Sequence, residues 1–117
     1  MKELVGKYAR FGNEIFEIED ELIDDIVHLI YDDKGLFLDI LDKENNIVIK
    51  DDPRELIEVG DLVMFNSVKN NSKFVVRFIE NKTQIQVYKD GWIMNNITEI
   101  WTKTSENTFT RQWSDDE

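Results

Sequence analysis

Between Glu19 and Asp33 the stretch EDELIDDIVHLIYDD sets seven carboxylates around isoleucine, leucine and valine. Acids at such density suit a few kinds of chemistry. Paired carboxylates perform glycoside hydrolysis or two-metal hydrolysis. In a chain of 117 residues with 25 acids, however, adjacent pairs arise from number alone, and no pocket-forming motif accompanies them. Asp42-Lys43-Glu44-Asn45-Asn46-Ile47 begins like a calcium loop, but Ile47 stands where glycine is needed for the sharp turn. His28, the one histidine, has no serine or cysteine set beside it by motif and reads as a half-buried strand residue. No cysteine is present, so thiol chemistry is excluded. The residues therefore predict a non-enzyme, with no cofactor and no metal site.

What remains for the acids is recognition or solvation. Same-face residues on a strand lie about 6.6 Å apart, and two phosphate steps along a DNA strand rise about 6.8 Å. Carboxylates at i and i+2 thus imitate the charge spacing of a nucleic-acid backbone. Glu17 and Glu19 meet that spacing if their strand runs so far, and the neighbouring Asp20 and Glu21 are counted with them. The pairs Asp24-Asp25, Asp32-Asp33 and Asp51-Asp52 enlarge the field if they gather on one edge. These ten acids, with Trp113 near the end of the chain, are the expected partner-binding residues. The competing account is solubility, which spreads carboxylates over a surface without purpose.

The distribution of charge bears on that choice. The net charge is -11, which argues against DNA, RNA or an anionic membrane as direct partner. Glu14 to Asp61 holds seventeen acids and four bases, whereas Leu62 to Ser114 holds four acids and seven bases. The front of the chain thus carries the whole imbalance, and a protein with a basic surface is the expected partner. No apolar run reaches membrane length and the start MKELVGKYARFGNEIF lacks a signal-peptide pattern, so the cytoplasm is the expected location. Three Asn-x-Ser/Thr tripeptides, beginning at Asn70, Asn81 and Asn96, read as chance in an Asn-rich chain.

The elements that position these residues read mostly as strands. Tyr8 to Phe11 and Glu14 to Ile18 flank Gly12-Asn13, a pair suited to a tight hairpin. Leu22, Ile23, Ile26, Val27 and Ile30 have helical spacing, but the interior aspartates and β-branched residues are mediocre helix formers. The reading is a helical turn or loop to about Asp25 and a strand from Ile26 to Tyr31. Asp32-Asp33-Lys34-Gly35 bends the chain into Leu36 to Leu41, and Asp42 to Asn46 turns it into Ile47 to Lys50. In DDPRELIEVGD, Asp52 caps, Pro53 fits the first helical position and Glu55 completes a capping box, predicting a short helix from Pro53 to about Glu58. DLVMF, KFVVRFI, TQIQVY, WIM, ITEIW and TFTRQW then alternate as six strands. The expected fold is mainly β, a small SH3-like barrel or a twisted antiparallel meander with one short helix. One domain is expected over residues 1–117, with acidic hairpins over 1–50, a helical turn over 51–60 and a β-meander over 61–117.

The segment IVIKDDPRELIEVGDLV, followed some thirty residues later by ITEIWTKTSENTFTRQW, resembles small phage and prophage proteins of Firmicutes. Those proteins share an Ile-Ile-Lys run, a Leu-Ile-Glu-Val-Gly-Asp block and a closing Ile-x-x-Ile strand before a final aromatic strand. The matching residues are Ile47 to Lys50, Leu56 to Asp61, Ile97 to Ile100 and Phe109 to Trp113. The resemblance covers about the last two-thirds of the chain and implies a phage origin and a β-rich fold. It brings no activity.

Small acidic phage proteins that block Cas nucleases, the anti-CRISPRs, share this size and charge by class and not by motif. The expected function is thus inhibition of a host nucleic-acid-handling defence enzyme, such as a Cas nuclease, by occupying its cationic groove. Two alternatives compete. One is a phage structural or assembly accessory acting through β-edges and aromatics. The other is a small β-barrel that stacks single-stranded nucleic acid on Trp92, Trp101 and Trp113, aided by Tyr88, Lys89 and Arg111.

Overall fold

A computed structural model describes residues 3–66, 72–81, 84–87, 90–93 and 96–115, with 90–93 described by backbone alone. Twelve strands form among them: β1 (Tyr8–Phe11), β2 (Glu14–Glu17), β3 (Asp20–Ile23), β4 (His28–Tyr31), β5 (Phe37–Asp39), β6 (Val48–Lys50), β7 (Leu62–Phe65), β8 (Phe74–Ile79), β9 (Gln84–Val87), β10 (Asp90–Ile93), β11 (Ile97–Ser105) and β12 (Thr108–Ser114). A 3-10 turn, Pro53–Leu56, separates β6 from β7. Every pairing is antiparallel. The chain divides into two compact units, Met1–Leu56 and Ile57–Glu117.

In the first unit the Gly12-Asn13 hairpin forms as its sequence predicts. Phe11 pairs with Glu14 across the two-residue turn, and Gly12 takes a φ of +61°. β1 is the centre of the three-stranded sheet β2-β1-β6. Period-2 alternation sends Ala9, Phe16 and Ile49 to one face and Arg10, Ile15 and Val48 to the other. A second three-stranded sheet has the order β3-β4-β5. Its register puts Glu21, Ile30 and Leu38 abreast on one face and Asp20, Tyr31 and Phe37 abreast on the other. Ala9, Ile18 and Ile30, all with no exposed surface, make the core of the unit, with Leu4, Phe16, Leu38, Ile40, Ile47 and Ile49 packed around them.

Two expectations for this unit fail. The helical turn or loop expected to about Asp25 is instead strand β3, because pairing with β4 uses the backbone of residues 20–23. The apolar residues of helical spacing do not share a buried stripe. Leu22 and Ile23 are half exposed and Ile26 is 80 % exposed, leaving Ile30 as the buried member. The short helix after Asp52 is shorter than expected and 3-10 in type, ending at Leu56 rather than Glu58. Its start is set by Asp52, whose Oδ1 accepts the Arg54 N–H at 3.0 Å.

The second unit is one six-stranded sheet, β10-β9-β8-β7-β11-β12. Strands β7 to β10 follow one another as a meander. β11 returns to the free side of β7 and hairpins into β12. Val63, Phe65, Val76, Ile85, Val87, Ile97, Ile100 and Thr102 are buried. The Leu-Ile-Glu-Val-Gly-Asp block forms the entry to β7. There Gly60 takes a φ of +100°, and the buried Asp61 carboxylate accepts the Glu58 N–H at 2.9 Å. Closure would need β10 and β12 to pair, and no such pairing occurs among the described residues. The twisted meander is therefore the form adopted, and the SH3-like barrel is not. No described helix is long and apolar enough to cross a membrane.

Candidate acidic interaction site

The acids of the first unit fall into three groups once their partners are known. Many aspartates serve turns, because a short carboxylate reaches backbone N–H groups two to four residues on. Asp32 Oδ1 accepts from the amides of Lys34 and Leu36, each at 2.9 Å, and the positive φ of Gly35 completes that turn. Asp39 accepts from His28 and Leu41, Asp42 from Glu44, and Asp24 from Asp25. The second group is paired with cations. Asp51 lies 3.2 Å from Lys7 Nζ and Asp52 lies 3.3 Å from an Arg54 nitrogen. The Lys7–Asp51 pair is solvent-exposed and weakly stabilising, and the Arg54–Asp52 pair is half-buried.

The third group is a cluster of carboxylates with no cation. Glu17 closes β2 and Glu19 follows it by two residues, held by its N–H to the Tyr31 carbonyl at 2.8 Å. That bond brings Glu19 beside the turn after β4, where Asp33 stands. A hydrogen bond from Glu17 and the charge of Glu17 hold the Glu19 carboxyl above its ordinary value. Partial withdrawal from water and the charge of Asp33 add to the push. The expected strand spacing of Glu17 and Glu19 is therefore not what forms: β2 ends at Glu17, and Glu19 lies in the link to β3. Among the described residues, no ion-pair partner lies against Glu17, Glu19, Asp24, Asp25, Asp32 or Asp33.

The ten expected acids do not gather on one edge. Asp24 and Asp25 occupy the β3–β4 turn, whereas Glu19, Asp20, Asp32 and Asp33 sit at the opposite end of the β4 hairpins. Three strand steps of about 3.4 Å separate those ends, more than the Debye length of about 8 Å at physiological salt. Glu21 leaves the surface altogether, with a fully buried side chain. It accepts the Leu4 N–H at 2.8 Å and pairs with Nε2 of His28. Register explains the second contact, since Glu21 faces Ile30 while His28 faces Ile23, a diagonal within reach of long side chains. Burial raises the Glu21 pKa, but the Leu4 N–H and the His28 ring outweigh it, so the carboxyl sits below its ordinary value.

An apolar groove in the same unit escaped sequence reading. Phe11, Glu14 and Phe16 line it from the β1–β2 hairpin, and Asp32 and Leu36 from the β4–β5 connection with Phe37 and Leu38 from the start of β5. Its volume is about 180 Å³. Leu36 and Phe37 are 63 % and 60 % exposed, and the adjacent apolar pair after an Asp-Asp-Lys-Gly turn was the one available signal.

In the second unit Trp113 is half-buried on β12. Trp101 is also half-buried, with its Nε1 donating to Glu99 at 2.8 Å and Lys73 Nζ 4.5 Å from the ring centroid. A ring already covered by a cation offers less stacking surface to a base. Tyr88, Lys89 and the Trp92 side chain lie outside the described residues. Among the described residues, no group of three or more His, Asp or Glu side chains is arranged to hold a metal ion. No family model matches the chain, and comparison with curated proteins and with solved structures returns no match.

Proposed function

We propose that this chain is a non-enzymatic interaction protein that engages a basic protein surface through the acidic first unit. The observation that carries the reading is the cation-free cluster of Glu17, Glu19 and Asp33. These carboxylates serve no turn or ion pair, and they stand close enough to raise the pKa of Glu19. Crowded like charges are unfavourable in the free protein, and a cationic partner relieves that repulsion on binding. Residues 1–56 hold sixteen acids and seven bases, so the surrounding field steers the same class of partner.

The phage resemblance gives the proposal its finer form. The partner is a nucleic-acid-handling defence enzyme of the host cytoplasm, such as a Cas nuclease, and the protein acts as an anti-CRISPR-type inhibitor by competing for the cationic groove. The test is a gel shift of a Cas nuclease–guide complex with its labelled DNA target, run at low and at physiological salt. Displacement of DNA that weakens with salt and vanishes in Glu17→Lys/Glu19→Lys/Asp33→Lys supports the reading. Displacement that survives the triple variant overturns it.

A second reading has its own observation. The outer face of β3-β4-β5 presents half-exposed Leu22 and 60 % exposed Phe37, with Tyr31 and Phe37 rings 5.9 Å apart. Such a face suits an assembly accessory of a phage particle. Binding through it would be insensitive to salt and abolished by Leu22→Ser/Phe37→Ser.

A further inference from the structure

We propose that the groove between the β1–β2 hairpin and the β4–β5 connection receives an arginine side chain of the basic partner. This rests on the reading that the acidic unit meets a basic protein, and it assigns the anchor of that contact. The size of the groove is the first argument. At about 180 Å³ it falls below the ~300 Å³ at which small-molecule sites begin, and it suits a single side chain.

Its chemistry is the second. Phe11, Phe16, Phe37, Leu36 and Leu38 provide an apolar floor, and Glu14 and Asp32 provide carboxylates beside it. An apolar floor alone would take leucine or methionine, and carboxylates alone would take lysine. Arginine satisfies both, because its guanidinium is planar, weakly hydrated, stacks on aromatic faces and donates in a fork to carboxylates. A lysine ammonium is more strongly hydrated and loses more on entering such a groove.

The carboxylates are also available and preset. Asp32 Oδ1 is engaged by the Lys34 and Leu36 amides, which fixes the side chain, while its Oδ2 carries no hydrogen bond among the described residues. Glu14 makes no ion pair among them. Phe11, Glu14 and Phe16 share one face of a tight hairpin, so three lining residues are set by register. Charge complementarity favours a cationic occupant over a neutral one, given sixteen acids against seven bases in the unit.

The test uses the full chain and three synthetic peptides, acetyl-Lys-Lys-Gly-Gly-X-Gly-Gly-Lys-Lys-amide, with X as arginine, citrulline or norleucine. Amide shifts in a two-dimensional NMR titration report both affinity and location. The arginine peptide is expected to bind about tenfold more tightly than the other two, a difference of about 1.4 kcal/mol, with the largest shifts at Phe11, Phe16, Leu36 and Phe37. Glu14→Gln/Asp32→Asn is expected to cut that preference to within about twofold. The asparagine side chain of that variant keeps the Oδ1 acceptor of the turn, and an unchanged thermal transition checks the fold. Leu36→Ser, at a 63 % exposed position, is the second variant and is expected to weaken the arginine peptide alone. A norleucine peptide that matches arginine, or a preference that survives the double variant, overturns the assignment. Three peptides of equal, salt-sensitive affinity overturn it while leaving the acidic-surface reading intact. No binding by any peptide overturns both.

Discussion

Removing the carboxylate of Glu21 should unlock the first unit, and the effect should depend on pH with a definite sign. Glu21 is the buried acid that joins the N-terminal segment, through the Leu4 N–H at 2.8 Å, to β4 through His28. Hydrogen bonds to a charged group contribute about 1.5–3 kcal/mol each, and part of that gain is offset by the cost of burying the charge. Glu21→Ala should therefore cost about 3 kcal/mol, a large part of the stability of a small unit.

Glu21→Gln keeps the shape and an acceptor for Leu4 and removes only the charge, so it isolates the ionic part. The folded pKa lies below the ordinary value of 4.5. The ionic stabilisation is thus fully present above about pH 4.5 and is lost as pH falls through the depressed folded pKa. The gap between the parent and Glu21→Gln should be open at about pH 5 and close as pH falls below about 4.5. Carboxylates common to both proteins cancel in the difference. Urea unfolding should be followed by the amide signals of Ala9, Ile18 and Ile30, because Trp92, Trp101 and Trp113 all belong to the other unit. A gap of the same size at about pH 3 and about pH 5.5, or none at either, would refute the reasoning.

Three further outcomes follow from neighbouring residues. Arg10→Lys should destabilise the first unit by about 1–3 kcal/mol. The buried guanidinium donates to the Gly12 carbonyl at 2.8 Å and the Leu56 carbonyl at 3.1 Å, a span an ammonium cannot cover, and the same urea titration measures the loss. Gly35→Ala should cost about 1 kcal/mol through its φ of +82° with no steric clash, and thermal unfolding should show asparagine at that position to be milder. Asp32→Ala should speed amide exchange at Lys34 and Leu36 by about tenfold, whereas Asp32→Asn should leave both amides protected.

The parts of the fold written in local chemistry were legible. Gly12-Asn13 set a hairpin between two alternating runs, Asp52-Pro53 set the start of the 3-10 turn, and alternation located all six strands of the second unit. Residues 20–23 were misread because the spacing of apolar side chains there is helical, while the deciding interaction is pairing with a strand that the local pattern does not specify, and β4 starts at His28 rather than Ile26. The charge imbalance was likewise legible as a sum. Which acids face water was not, since Glu21 is buried by a diagonal partner seven residues away and Asp51 meets Lys7 from the distant β1 side of the unit. The groove was hidden for the same reason, as its walls come from two hairpins more than fifteen residues apart.

Strand β3 is an edge of the sheet β3-β4-β5, with β4 as its one strand neighbour among the described residues. A bare strand margin is a template on which a second molecule can add and then a third. Here that margin is four residues long and carries Asp20, with Glu19 just before it and Asp24 just after. Two such margins brought together would set these acids against one another at the ends, with Leu22 and Ile23 between them. The acids at both ends of that margin thus oppose pairing of the chain with itself, and the restraint weakens when the carboxylates are protonated or shielded by concentrated salt.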